Sequence, residues 1–217
     1  WENIARTHNG KAGIDYFIND HATISYTFDR NSSFNTGNNY HDNTSEVYDA
    51  SHNLVNSYLA YNLGRNHIHT TSNGLSFRKT YDSSQAEWSI DIAHTYFSED
   101  NTNVNENYAY NAVGNPLYNQ YYYFEPVLNN SVHNIMAKTD VSLLTSFAKL
   151  EFGLKNEANF NRNNYLAYLK DYNTPKYTSS TYQNNFEYND NIFAGYIQGS
   201  KSIGIVQLDL GIRAENT

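Results

Sequence analysis

FEYNDNIFAGYIQGSKSIGIVQLDLGIRAENT, Phe186 to Thr217, holds two extended runs joined by a short turn. From Val206 the residues alternate: Val206, Leu208, Leu210, Ile212 and Ala214 share one face of an extended strand, and Gln207, Asp209, Gly211, Arg213 and Glu215 the other. Ile192 to Ser200 is a second extended run, and Lys201-Ser202-Ile203-Gly204 is short enough to fold the two into an antiparallel hairpin. A soluble sheet shows the same alternation, so the pattern alone does not choose between a protein core and lipid.

Ala194-Gly195-Tyr196-Ile197 followed, after the turn, by Leu208 to Thr217 resembles a recurring hairpin in the barrels of TonB-dependent outer-membrane receptors, where an AxY strand precedes one ending LxxGxRxExT. Two more pieces are similar to that family's strands. One is Gly13-Ile14-Asp15-Tyr16-Phe17 leading into His21 to Phe28; the other is Lys138-Thr139-Asp140-Val141 leading into Lys149 to Lys155. The pieces sample both ends and the middle of the chain, and each is a strand pattern rather than a catalytic signature.

Composition agrees with a sheet that has no dry interior. Hydrophobic residues are 39% of the 217 and mean hydropathy is −0.72, too thin an apolar supply for a compact soluble core. The 21 Tyr, 11 Phe and 34 Asn point to strands, aromatic girdles and polar surfaces, while three Pro and scarce Leu argue against a helical bundle. Without Cys there are no disulfides or thiolate metal sites. A formal charge of −8 argues against a phosphate-binding surface, and nothing in the sequence resembles a basic stripe for nucleic acid. No run approaches the ~20 apolar residues of a membrane helix, so a membrane reading must be a barrel, the other structure that satisfies its own backbone in lipid.

Alternation predicts four hairpins in all, at about 11–29, 67–97, 133–157 and 186–216. In the first, Ala22, Ile24, Tyr26 and Phe28 oppose Thr23, Ser25, Thr27 and Asp29 after a turn at Asn19-Asp20. In the second, a turn at Asp82-Ser83-Ser84-Gln85 leads to Trp88, Ile90, Ile92, His94 and Tyr96 opposite Ser89, Asp91, Ala93 and Thr95. In the third, a turn at Thr145-Ser146 leads to Ala148, Leu150, Phe152 and Leu154 opposite Lys149, Glu151, Lys155 and Glu157. Polar stretches at 30–66, 98–132 and 158–185 separate the hairpins and read as long loops, although Leu54 to Leu63 could extend a strand. Such loops are foreign to compact soluble domains but fit an outer-membrane barrel, with short turns on one side and long loops on the other.

Several groups could carry chemistry. His67 and His69 would point to one side of a strand as a two-ligand metal clamp, but no third ligand is near in sequence, so polar strand or loop positions are preferred. Asp100 to Glu106 is rich in oxygen ligands yet lacks the Asp-x-Asp-x-Asp-Gly spacing of a calcium loop. His94 in its apolar stripe reads as an interfacial position beside Tyr96. No G-x-S-x-G, H-E-x-x-H or phosphate loop is present, so no enzyme, metal or cofactor is assigned. Tyr118, Tyr121, Tyr122, Tyr123 and Phe124 in the second polar stretch, and Tyr165, Tyr168, Tyr172, Tyr177 and Tyr182 in the third, lie among Asn, Ser and Thr. Rigid phenols beside adaptable amides suit capture of a ligand at a barrel mouth; the competing reading is an outer aromatic girdle.

The expectation is an all-β antiparallel transmembrane barrel, with about eight strands seen here. The resemblance implies a section of a larger barrel of about 22 strands, without a plug domain in this stretch. Lys149, Glu151, Lys155, Asp209, Arg213 and Glu215 would face the lumen. By the same resemblance the protein sits in the cell outer membrane against lipid and imports a scarce nutrient (siderophore, glycan or peptide). The TonB complex drives that import by pulling on the plug, and in some members a surface lipoprotein acts as a lid. The alternatives are a small eight-stranded structural or adhesive barrel, betrayed by a ladder between Lys11–Ile18 and Val206–Glu215, or a soluble secreted carbohydrate-binding β-sandwich.

Overall fold

The computed structural model describes residues 2–81, 86–170, 177–179 and 182–217. They form one antiparallel sheet of nine strands: β1 (Glu2–Asn19), β2 (Ala22–Tyr48), β3 (Leu54–Tyr81), β4 (Ala86–Asn111), β5 (Tyr122–Leu144), β6 (Lys149–Lys170), β7 (Tyr177–Ser179), β8 (Asn184–Ile203) and β9 (Val206–Asn216). Eight are laid down in chain order, and the short β7 adds to the far end of β6. Every pairing is antiparallel. The lone helical element is a 3-10 turn at Tyr118–Gln120 among the described residues.

Residues directly opposite in an antiparallel ladder share a face, so the registers define rows across the sheet. One row runs Tyr16, Ile24, Phe77, Ile90, Thr139, Leu154, Gly195, Ala214; its neighbour runs Ile14, Tyr26, Leu75, Ile92, Ala137, Asn156, Phe193. The stripes read from sequence therefore merge into one apolar band. On β6 it extends from Leu150 to Phe160 and on β4 from Trp88 to Tyr96, the 9–11 residues that a barrel strand needs to cross a bilayer. Nothing among the described residues covers it: Ile14 is 68% exposed, Leu154 51% and Ile212 75%, and no large side chain of these residues is fully buried. The β-sandwich alternative is thereby overturned, since its stripes would have to pack against one another and the described residues form a single layer.

A second correction concerns the polar stretches. Those read as loops at 30–66, 98–132 and 158–185 are mostly strand: β2 runs on to Tyr48, β4 to Asn111 and β6 to Lys170. Beyond the apolar band neither face meets hydrocarbon, so the contrast that reveals a strand in sequence disappears while the ladder continues. β4 alone carries on for the residues between Tyr96 and Asn111, about 50 Å of strand.

The connections divide by end. At one end the turns are tight: Thr145 closes on Ala148 through backbone and hydroxyl bonds, and Ile203 pairs with Val206 around Gly204, whose φ of 64° is the reason for glycine there. Lys201 and Ser202, expected in that turn, are still paired in the ladder. The turn at 82–85 lies outside the described residues. At the other end two loops use one device. Asp49 and Asn111 each accept, on Oδ1, the backbone N–H groups two and four residues ahead. The residue between those two donors is left-handed in both, His52 at φ 62° and Gly114 at 84°.

Candidate functional site

The face opposite the apolar band has two tiers. Within the depth of the band it is charged, and all six side chains expected there share it. Lys155, Ala194 and Glu215 fall in one row, Gly153, Tyr196 and Arg213 in the next, Glu151, Gln198 and Gly211 in a third, and Lys149, Ser200 and Asp209 in a fourth. Charges of opposite sign sit two apart on one strand: Lys138–Asp140 at 2.7 Å, Lys155–Glu157 at 2.6 Å, Arg213–Glu215 at 2.8 Å, and Lys149–Glu151. Asp209 accepts from the Gln207 amide at 3.3 Å. These exposed pairs contribute little stability each; their consequence is a wall that water or a polar body can contact.

Pieces quoted separately from sequence meet in one row of this tier: Ser89, Asp140, Gly153, Tyr196, Arg213. The Tyr196 ring lies over Gly153 and its hydroxyl donates to Asp140 Oδ1. A Cβ at Gly153 would meet that ring carbon at 2.6 Å, the Thr139 carbonyl oxygen at 2.8 Å, and the Asp140 carboxylate. Glycine is required there because two strands supply the side chains that fill its place.

Above the band the same face is neutral among the described residues except for Glu99. Asn35, Asn66 and Asn101 form a row that continues through Leu128 to Tyr165; Gly37, Gly64 and Asn103 form the next. These residues floor an open hollow of about 430 Å³. Asn66 donates to Glu99 at 3.1 Å, yet its buried Oδ1 has no partner among the described residues. The sequence signal for this wall is the alternation of Asn101, Asn103, Asn105 and Asn107, and of Asn159, Asn161 and Asn163, which places every amide on one side.

The tyrosines expected to act together are split by the pleat. Tyr122 and Tyr165 join the asparagine face, Tyr122 beside Phe124 with rings 6.1 Å apart. Tyr123 and Tyr168 fall on the opposite face, with the Tyr123 hydroxyl donating to Glu125 at 2.7 Å. Tyr121 packs edge-on against Tyr108 at 4.6 Å on that side. Burial, then the bond to Glu106, pushes the Tyr108 phenol up to about 12. Tyr118 is exposed in the 3-10 turn, and Tyr172 lies outside the described residues.

His67 and His69 share a face but take separate partners, Ser32 at 3.2 Å and Thr71 at 3.1 Å. Asp100 to Glu106 is extended in β4, sending Asp100 and Glu106 to one face and Asn101, Asn103 and Asn105 to the other, so the run does not wrap an ion. His94 stacks on His133 at 5.5 Å, and His133 meets Tyr96 at 4.6 Å, at the upper margin of the apolar band.

Residues 79–217 match the outer membrane protein beta-barrel family. The chain belongs to that family. The apolar band is thus the lipid face of a transmembrane barrel wall in the outer membrane, and the two-tiered face is its lumen side. A search of curated proteins found no match.

Proposed function

We propose that the chain is a section of the barrel of a TonB-dependent receptor that binds a scarce nutrient outside the cell and imports it. The observation that supports this most is the tiered lumen face: charge through the depth of the membrane and, above it, a wall rich in amides, with Glu99 its charged group, around the hollow at Asn66. The lower tier suits a wide lumen holding a polar plug rather than an interior filled by its own side chains. The upper tier suits first capture of a hydrogen-bonding nutrient, and a glycan or peptide fits it better than an anionic chelate, because the tier offers mainly amides, with the Tyr122 and Tyr165 phenols farther along it, and its charged group is the Glu99 carboxylate. Energy would come through the TonB complex acting on the plug, and a surface lipoprotein would assist capture.

The test is growth of the parent bacterium on a panel of oligosaccharides and peptides as sole nutrient, comparing deletion of this receptor, deletion of TonB and both. The reading expects one nutrient on which the single deletions fail alike and the double is no worse. Growth of the receptor deletion like wild type on every nutrient, with loss of surface adhesion or envelope integrity instead, would transfer the function to the structural alternative.

A further inference from the structure

The registers segregate the basic residues. Four of the six arginines, Arg6, Arg30, Arg65 and Arg162, fall on the lipid side, in the four rows that begin at the upper margin of the apolar band. His8, His67, His69 and His133 share those rows. By contrast Lys11, Lys138, Lys149 and Lys155 face the lumen. The acidic residues in the same four rows are Asp100, held by the Asn129 amide at 2.6 Å, and Glu187, paired with Arg162 at 2.6 Å. Four arginines less two carboxylates leave +2 before any histidine charge, on a chain whose total is −8. Arg6, Arg30 and Arg65 are exposed and form no ion pair among the described residues.

This belt lies at the end of the sheet with the longer connections, which in outer-membrane barrels is the outside. Its lowest row, that of Arg30 and Tyr96, lies at the headgroups of the outer leaflet. The rows of Arg162, Arg6 and Arg65 follow above it, the last about 20 Å higher along the strand, level with the sugar-phosphate layer of a glycolipid. Guanidinium forks bind phosphate through two parallel hydrogen bonds, and aromatic rings such as Phe34, 6.3 Å from His67, and Tyr96 brace the boundary. Arg6 and Arg65 are two strands and one row apart, about 12 Å at the backbone, so their side chains can reach two phosphates of one headgroup. We propose that the belt is a binding site for phosphorylated glycolipid of the outer leaflet, with Arg6, Arg30 and Arg65 as its phosphate ligands.

The test uses the full-length protein in detergent, loaded with bisphosphorylated lipid A or the same lipid after phosphatase treatment, with bound lipid counted by native mass spectrometry. An interfacial cation contributes about fivefold in affinity for an anionic surface, so R6Q/R30Q/R65Q should bind the phosphorylated lipid on the order of a hundredfold more weakly. The pair K79Q/K201Q, which removes charge from the same face at the other end, should bind as the parent does. A heat-modifiability gel selects folded variants, and single substitutions replace the triple if it fails to fold. Equal retention of the dephosphorylated lipid, or unchanged binding by the folded arginine variants, overturns the proposal. Displacement of the lipid by millimolar inorganic phosphate overturns it too, as the site would then read free phosphate.

Discussion

Tyr196 is legible in the sequence only as the last letter of a strand motif; in the fold it is the cap of a three-strand contact. Its ring occupies the space a side chain at residue 153 would need, and its hydroxyl reaches the Asp140 carboxylate, which is also paired with Lys138. Two substitutions separate these roles. In Gly153→Val the branched carbon meets the Thr139 carbonyl as well as the movable ring, so the cost exceeds what rotation of Tyr196 can relieve, roughly 2–3 kcal/mol. In Tyr196→Phe the ring still covers the glycine and only the hydrogen bond is lost, about 1–2 kcal/mol because the acceptor is charged but keeps its lysine. Urea unfolding in lipid vesicles, followed by tryptophan fluorescence, should rank the two in that order. Equal losses would mean that packing over Gly153 carries no weight of its own. The motif was visible from sequence, but the meeting of Asp140, Gly153 and Tyr196 was not, because register between strands separated by polar runs has no local signature.

At the scale of elements, hairpins were legible where lipid faces one side and water the other. The alternation at Ala22 to Asp29 or Trp88 to Tyr96 is a direct imprint of that boundary. The extensions of β2, β4 and β6 have polar surroundings on both faces, and their asparagines and serines imitate turn residues, so they read as loops. What marks the true ends of β2 and β4 is a shared five-residue pattern, Asp49-Ala50-Ser51-His52-Asn53 and Asn111-Ala112-Val113-Gly114-Asn115. The pair gives an internal control for pH. Bonds from Asn53, first its backbone N–H and then its side chain, hold the Asp49 carboxyl below its ordinary value of 3.8. A lowered folded value means that the contribution is fully present above 3.8 and is lost as pH falls through the folded value beneath it. Hydrogen-exchange protection of the Asn53 amide should therefore fall in acid while that of Asn115, bonded to the uncharged Asn111, holds. Loss at both loops together would trace the effect to the sheet and not to Asp49. In neutral solution His52→Gly should raise protection at Asn53, since glycine takes a φ of 62° without the penalty histidine bears.

For the whole molecule the decisive feature is that β1 and β9 are the two edges of the sheet, with no ladder between them among the described residues. Over the ~10 residues of an edge that crosses the hydrocarbon, about ten N–H and C=O groups point outward, each costing several kcal/mol if left unpaired in lipid. The sum is on the order of tens of kcal/mol, more than the 5–15 kcal/mol that holds a typical domain together. Both edges must therefore be paired in the membrane, either with each other in a small barrel or with other strands in a wide one. The chain has no cysteine, so introduced thiols report on this without interference. Asp15→Cys on the lumen face of β1 can be combined in turn with Asp209→Cys, Gly211→Cys and Arg213→Cys on the lumen face of β9, which spans the registers a closing ladder could adopt. In intact outer membranes the wide-barrel reading expects no crosslink within one chain for any pair under mild oxidation, and backbone amides of β1 and β9 protected from exchange as strongly as those of β4. A rapid intramolecular crosslink for one pair would close the barrel at eight long strands, leave its lumen too narrow for a plug, and move the function from import to the structural or adhesive role.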